Sequence, residues 1–202
     1  MFEELPKSTL VNRFYAKNKF YKKLMISNVT KDEFVNDIDS IIWMYKLSPD
    51  TIGINKTEET EEIEIFEIKL KNRIIPKNVI KTICKGVPYK LLFILKYNDD
   101  MCYSVKIDDV YSSEWNENIK FNFNALTLDI LYQNIVKTII KENDNKKDFE
   151  IIIENKEKID ELNKKINNLK SKVNNEKQFN RKVEYNRELK KLKVEMEELK
   201  NG

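Results

Sequence analysis

Between residues 62 and 97 the apolar and polar positions follow a sharply defined order. Residues 63–70 alternate, with Ile63, Ile65 and Glu67 on one side and Phe66, Ile68 and Leu70 on the other. That is the period of a strand, and apolar groups on both sides make it partly interior. Pro76 suits the first turn of a helix running to about Lys85. It turns Val79, Ile80 and Ile83 inward and leaves Gly86 at its end. Residues 90–97 are almost wholly apolar, as in a central strand. Strand, helix and buried strand make a βαβ unit. Asn98, Asp99 and Asp100 then signal a turn, and residues 101–107 read as an antiparallel partner.

Upstream, Thr30 and Glu33 form a capping-box pattern before Phe34, Ile38, Ile41, Ile42 and Tyr45. The spacing predicts a helix from Thr30 that stops before Pro49. Ile52 and Ile54 predict a short strand over 49–54, followed by an acidic loop at 56–61. Downstream, residues 115–123 read as a strand or extended segment. Leu128, Leu131, Ile135 and Ile139 predict a helix over 126–141.

The pattern then changes character. Ile159, Leu162, Ile166, Leu169 and Val173 recur at alternating spacings of three and four, and Leu189, Leu192, Met196 and Leu199 resume the seam. This is a coiled-coil heptad. Phe179, Val183 and Asn186 break its phase. Two arrangements fit: one long helix, or a turn near Asn174 and Asn175 with the arm packed back on itself. The absence of Gly or Pro there favours one helix. The expected fold is therefore α+β. A mixed α/β sandwich with a βαβ unit occupies 1–142, a polar linker 143–149, and a coiled-coil helical arm 150–202. An apolar stripe on a lone helix needs a partner, so a homodimer through the arm is expected.

Composition narrows the chemistry. The chain has 202 residues, is 41% hydrophobic and 35% charged, and carries a net charge of +3. It has no histidine, which excludes His-based dyads, triads and metal sites. Cys84 and Cys102 sit in apolar surroundings and read as free thiols of a reducing compartment. No apolar run approaches the ~20 residues of a membrane span, and the acidic start lacks a signal-peptide pattern. A cytoplasmic protein without a membrane association is expected. Near the N-terminus Arg13, Lys17, Lys19, Lys22 and Lys23 interleave with Phe14, Tyr15, Phe20 and Tyr21. Cations for phosphates and rings for stacking suit nucleic acid. Equally, an N-terminal arm can pin its rings on the core while its lysines stay wet. In the C-terminal arm Arg181, Lys182 and Arg187 cluster with Gln178, Asn180 and Asn186 where the seam is weakest.

Pro49-Asp50 followed by Glu67-Ile68-Lys69 fits the pattern P-D…(D/E)-x-K and resembles the restriction-endonuclease-like nuclease superfamily over residues 30–107. The resemblance implies that Asp50 and Glu67 hold Mg²⁺ and that Lys69 stabilises the developing charge. Without that activity no cofactor is expected. Glu67 could equally belong to a cross-strand ion pair.

A second resemblance spans nearly the whole chain. It is carried by Leu5-Pro6-Lys7-Ser8-Thr9, Ile42-Trp43, Lys46-Leu47-Ser48-Pro49, Glu64-Ile65-Phe66-Glu67-Ile68, Val87-Pro88-Tyr89 and Glu176-Lys177-Gln178-Phe179-Asn180-Arg181-Lys182-Val183-Glu184. Together these resemble the bacterial domain-of-unknown-function family 4391. Members of that family tend to be encoded beside DNA methyltransferases and helicases of restriction or phage-defence loci. The resemblance implies an accessory, non-catalytic subunit of such an assembly, with methyltransferase or helicase subunits as partners and DNA contact through the backbone. A Mg²⁺-dependent nuclease and a structural coiled-coil dimer are the alternatives.

Overall fold

The structure is a computed structural model and describes residues 5–142 and 148–201. Most of the expected linker, 143–147, lies outside them. The chain divides into two compact units, Met1–Asn143 and Asp144–Gly202.

The first unit is built on a six-stranded sheet. Its strands are β1 (Leu10–Phe14), β2 (Ile38–Leu47), β3 (Ile63–Leu70), β4 (Lys90–Tyr97), β5 (Asp100–Lys106) and β6 (Val110–Ser112), arranged in chain order. Neighbours are antiparallel except β3 and β4, which run parallel. Helix α4 (Lys77–Gly86) makes that crossover, so the βαβ unit forms as the sequence predicts. Phe66, Ile68 and Leu70 of β3 join Leu91, Phe93 and Leu95 of β4 in one apolar cluster. Helix α4 covers it with Val79, Ile80 and Ile83, and helix α2 (Asn28–Asn36) adds Phe34. The alternate residues Ile63, Ile65, Leu92 and Ile94 are buried as well. The sheet centre is therefore dry on both faces, which a parallel pair requires. Helix α5 (Leu128–Ile140) packs on β5 and β6 and buries Leu131, Tyr132, Ile135 and Ile139.

Four expectations are corrected. Residues 38–47 are the strand β2, not the end of a helix from Thr30. Helix α2 is capped one turn earlier by Ser27, whose Oγ accepts from the Thr30 N–H at 3.2 Å. The register of β2 slips between Ile38 and Ser40 and again between Trp43 and Tyr45. Each bulge inserts a residue and erases the strict alternation that marks a strand. Next, Pro49–Ile52 is a short helix, α3. Pro49 fits its first turn, Ser48 and Thr51 form a capping box, and Gly53 closes it with φ 70°. Third, of the strand or extended segment expected over 115–123, the strand does not form. The last strand is the shorter β6, while Ile119 and Phe121 are buried from irregular chain.

The fourth concerns the second unit. It is a helical hairpin, not one helix: α6 (Phe149–Asn175) packs on α7 (Phe179–Asn201). The break needs neither Gly nor Pro. Glu176 turns extended, with φ −77° and ψ 129°, and its carboxylate accepts from the Gln178 N–H at 2.9 Å.

The N-terminal rings belong partly to the core. Phe20, on helix α1 (Asn18–Lys23), is 3% exposed and stacks on Tyr15 at 4.9 Å and on Phe34 at 6.1 Å, whereas Phe14 is 65% exposed. Phe20→Ala should therefore cost about 3–5 kcal/mol and lower the melting temperature. Phe14→Ala should stay within about 0.5 kcal/mol of the parent. Thermal unfolding of both variants measures the difference.

Candidate functional site

Glu67 and Lys69 project from the same face of β3 because they are two residues apart. Glu67 is only 6% exposed and its Oε2 lies 2.7 Å from Lys96 Nζ on β4. Lys69 is exposed and stands in register with Ser40 and Lys96. The carboxylate is thus half of a cross-strand ion pair. Asp50 does not join them. It follows the end of β2, where Leu47 pairs with Ile63, and Glu67 lies four residues further along β3, about 13 Å at 3.3 Å per residue. A metal shared by the two would need an oxygen of each carboxylate within about 2.3–2.6 Å of it. Asp50 sits in the first turn of α3 and not on a strand beside Glu67. Among the described residues no group of three or more Asp, Glu or Cys is placed to hold a metal ion.

A second buried carboxylate lies nearer the start of β3. Glu64 is 6% exposed and stands between Lys46 of β2 and Leu91 of β4. Lys46 is already engaged, with its Nζ 2.6 Å from Glu62 Oε1. Burial, reinforced by the Glu62 charge, pushes the Glu64 carboxyl up to about 7. Close by, a cavity of about 560 Å³ is lined by Glu62, Thr60, Cys84, Val87, Tyr89 and Lys90. Thr60 fixes its acidic rim by donating to Asp129 Oδ1 at 2.9 Å. Burial raises the thiols of Cys84 and Cys102 to about 12. Both stay protonated at neutral pH and are poor nucleophiles.

The basic candidates separate on folding. Lys17 donates through Nζ to the Ile38 carbonyl at 2.8 Å. Burial, followed by the Lys71 charge, lowers its pKa. Lys71 donates to the Val35 carbonyl at 2.8 Å. Lys71 thus serves the last turn of α2, where cations are favoured, and Lys17 serves the start of β2. Lys19 Nζ sits 5.0 Å over the Tyr15 ring, and Arg13 is exposed on β1. The side chains of Lys22 and Lys23 lie outside the described residues.

In the hairpin the seam faces inward. Leu162, Ile166 and Leu169 are buried, and Ile159, Val173, Leu189, Leu192, Met196 and Leu199 are half-buried. Leu162 and Leu199 line one groove between the helices, and Lys172 Nζ is 6.0 Å over the Tyr185 ring near the turn. The residues expected to meet a second chain thus meet within one chain. Folding also segregates charge. The turn end, residues 164–191, holds ten Lys or Arg against three Glu. The open end, 148–163 and 192–201, holds nine Asp or Glu against four Lys. The basic end carries exposed Arg181, Lys182 and Arg187, and among the described residues none of the three makes an ion pair. Phe179, which sequence reading did not single out as a site, is 77% exposed beside them. Its loss of heptad phase was the available signal.

These features define an α+β sheet protein joined to a charge-segregated helical hairpin. The chain belongs to the family described as "Domain of unknown function (DUF4391)", whose model matches residues 4–196. No curated protein and no solved structure matches the chain. Among the described residues no helix is long and apolar enough to cross a membrane.

Glu64 predicts a pH dependence. Its raised pKa means that the folded state holds the proton more tightly than the unfolded state. The resulting stability is complete below about pH 4.5 and is lost as pH rises through about 7. The full span amounts to roughly 3 kcal/mol at about 1.36 kcal/mol per unit. Glu64→Gln should flatten the curve and exceed the parent in stability at pH 8. Urea unfolding at several pH values measures it, and equal slopes for parent and variant would contradict it.

Proposed function

We propose that the protein is a non-catalytic accessory subunit of a bacterial DNA restriction or phage-defence assembly, working in the cytoplasm. In this reading the sheet unit docks a methyltransferase or helicase subunit, and the hairpin's turn end lies against the DNA backbone. The observation that carries the contact is the turn end itself. Ten cations gather on one end of a hairpin, with an exposed Phe179 ring beside Arg181 and Lys182. Clustered cations attract phosphates by releasing counterions, and a free ring offers a face for base stacking. The family's association with methyltransferase and helicase genes supports the kind of assembly. The Glu67–Lys96 ion pair gives β3 a structural use for the carboxylate that a nuclease would need at its metal.

Fluorescence anisotropy with duplex and single-stranded oligonucleotides tests the contact. Binding should be tolerant of sequence and should weaken steeply with salt. Replacing Arg181, Lys182 and Arg187 together by Gln should lower the log–log salt slope by up to about three, near 0.9 per phosphate lost. Phe179→Ala should weaken single-strand binding by about 1–3 kcal/mol if the ring stacks. A parent that does not bind, or a triple variant with the parent's affinity and slope, would defeat this reading.

A further inference from the structure

The cavity of about 560 Å³ in the sheet unit opens among carboxylates. Glu58, Glu59 and Glu61 line it, are exposed, and among the described residues make no ion pair. Glu62 lines it too and is paired with Lys46. Lys90 belongs to the lining, but its ammonium sits 5.5 Å over the Tyr132 ring. The cavity also takes in Val87 and Tyr89, just beyond the C-terminal end of α4. The negative pole of that helix adds to the charge. Glu64 stands at the inner end of this space. Its β2 partner, Lys46, reaches back to Glu62, and its β4 partner, Leu91, adjoins Lys90. Glu64 is 6% exposed and among the described residues makes no hydrogen bond or ion pair, yet its oxygens are not sealed off. A buried polar group without a partner calls for one, and the cavity is where one can come from.

We propose that this cavity binds an organic cation, an ammonium or guanidinium group carried on an alkyl stem. The rim carboxylates take the charge, the Tyr89 ring offers it a face, and Val87 covers the stem. Glu64 accepts a hydrogen bond from the cation's N–H at the inner end. A bare metal ion does not fit: among the described residues no group of three or more Asp, Glu or Cys is placed to hold one. The charges that act on Glu64 are those of Glu62, which opposes its ionisation, and Lys46, which assists it. Tyr89 stands near Lys46, and the Cys84 thiol stays neutral. A bound cation adds to the assistance and favours the ionised carboxylate. Binding therefore releases a proton, and affinity rises with pH through about 7. The site is independent of the nucleic-acid contact of the hairpin.

Titration of the full-length chain with spermidine, N-acetylarginine amide and N-acetylcitrulline amide, followed by calorimetry and amide NMR, tests the site. Spermidine presents the cation as a free amine, and the arginine amide presents it as a protein side chain does. The citrulline amide keeps the shape of arginine without its charge. At least one of the two cations should bind saturably and move the amide signals of Cys84, Val87 and Tyr89, and citrulline should not. Whichever binds tighter identifies the source of the cation. Glu58→Gln, Glu59→Gln and Glu61→Gln together should weaken binding about tenfold or more. These positions are exposed, so an unchanged unfolding midpoint shows that the fold is intact. Glu64→Gln should still bind but lose the rise in affinity between about pH 6 and about pH 8. No saturable binding of either cation would overturn the proposal, as would citrulline binding like arginine. Signals that move only at residues 58–62 would mark loose counterions and overturn it too. So would a rim variant with the parent's affinity, or a Glu64→Gln variant with the parent's pH profile.

Discussion

The chain reverses direction at Glu176 without a glycine or a proline. The Glu176 N–H still closes the last turn of α6 on the Lys172 carbonyl, while its carboxylate accepts the Gln178 N–H. The functional reading depends on this reversal. It brings residues 164–175 beside residues 177–191 and so gathers the lysines and arginines of both helices at one end. It also turns the heptad seam into the hairpin's own interior. What remains outside is the side of α7 that carries Phe179, Val183 and Val194. A continuous helix would spread the same charges along its length and leave the seam exposed.

The sheet unit rests on a different constraint. With β3 and β4 parallel and covered on both faces, any polar group on them must be satisfied locally. The two buried glutamates of β3 meet this demand in different ways. Glu67 reaches the half-exposed Lys96 and keeps a paired charge. Glu64 finds its neighbour Lys46 already held by Glu62, and burial favours its neutral form. The strand that resembles a nuclease motif therefore holds one carboxylate in an ion pair and another close to neutral by burial. Two lysines tell a similar story: Lys17 spends its ammonium group on the Ile38 carbonyl at the start of β2, and Lys71 on the Val35 carbonyl in the last turn of α2.

The parts of the fold with a clean period were legible in the sequence. Residues 63–70, 77–86, 90–97 and 128–140 each keep one period from end to end, so β3, α4, β4 and α5 could be read directly. β2 could not, because two bulges break its alternation and leave Ile38, Ile41, Ile42 and Tyr45 at spacings that mimic a helix. α3 was hidden in a short stretch where Ile52 and Ile54 happen to alternate. Lys69 could be placed beside Glu67 from spacing alone. The distance of Asp50 could not, since it depends on whether Pro49 opens a helix or continues a strand. The turn at Glu176 is made by a side chain rather than by a backbone specialist, and composition carries no mark of it. Charge segregation is invisible in a linear count for the same reason, since residues 161–202 simply read as net basic.

The hairpin is the claim on which the rest of the account stands, and a distance tests it most directly. Lys158 of α6 and Glu195 of α7 line the same groove. Spin labels at these two positions in the full chain should give a dipolar distance set by an interhelical spacing of about 8–10 Å plus the label arms. One continuous helix would hold the labels about 55 Å apart at 1.5 Å per residue. The short distance supports the hairpin and the charge segregation it creates, and the long one would contradict both.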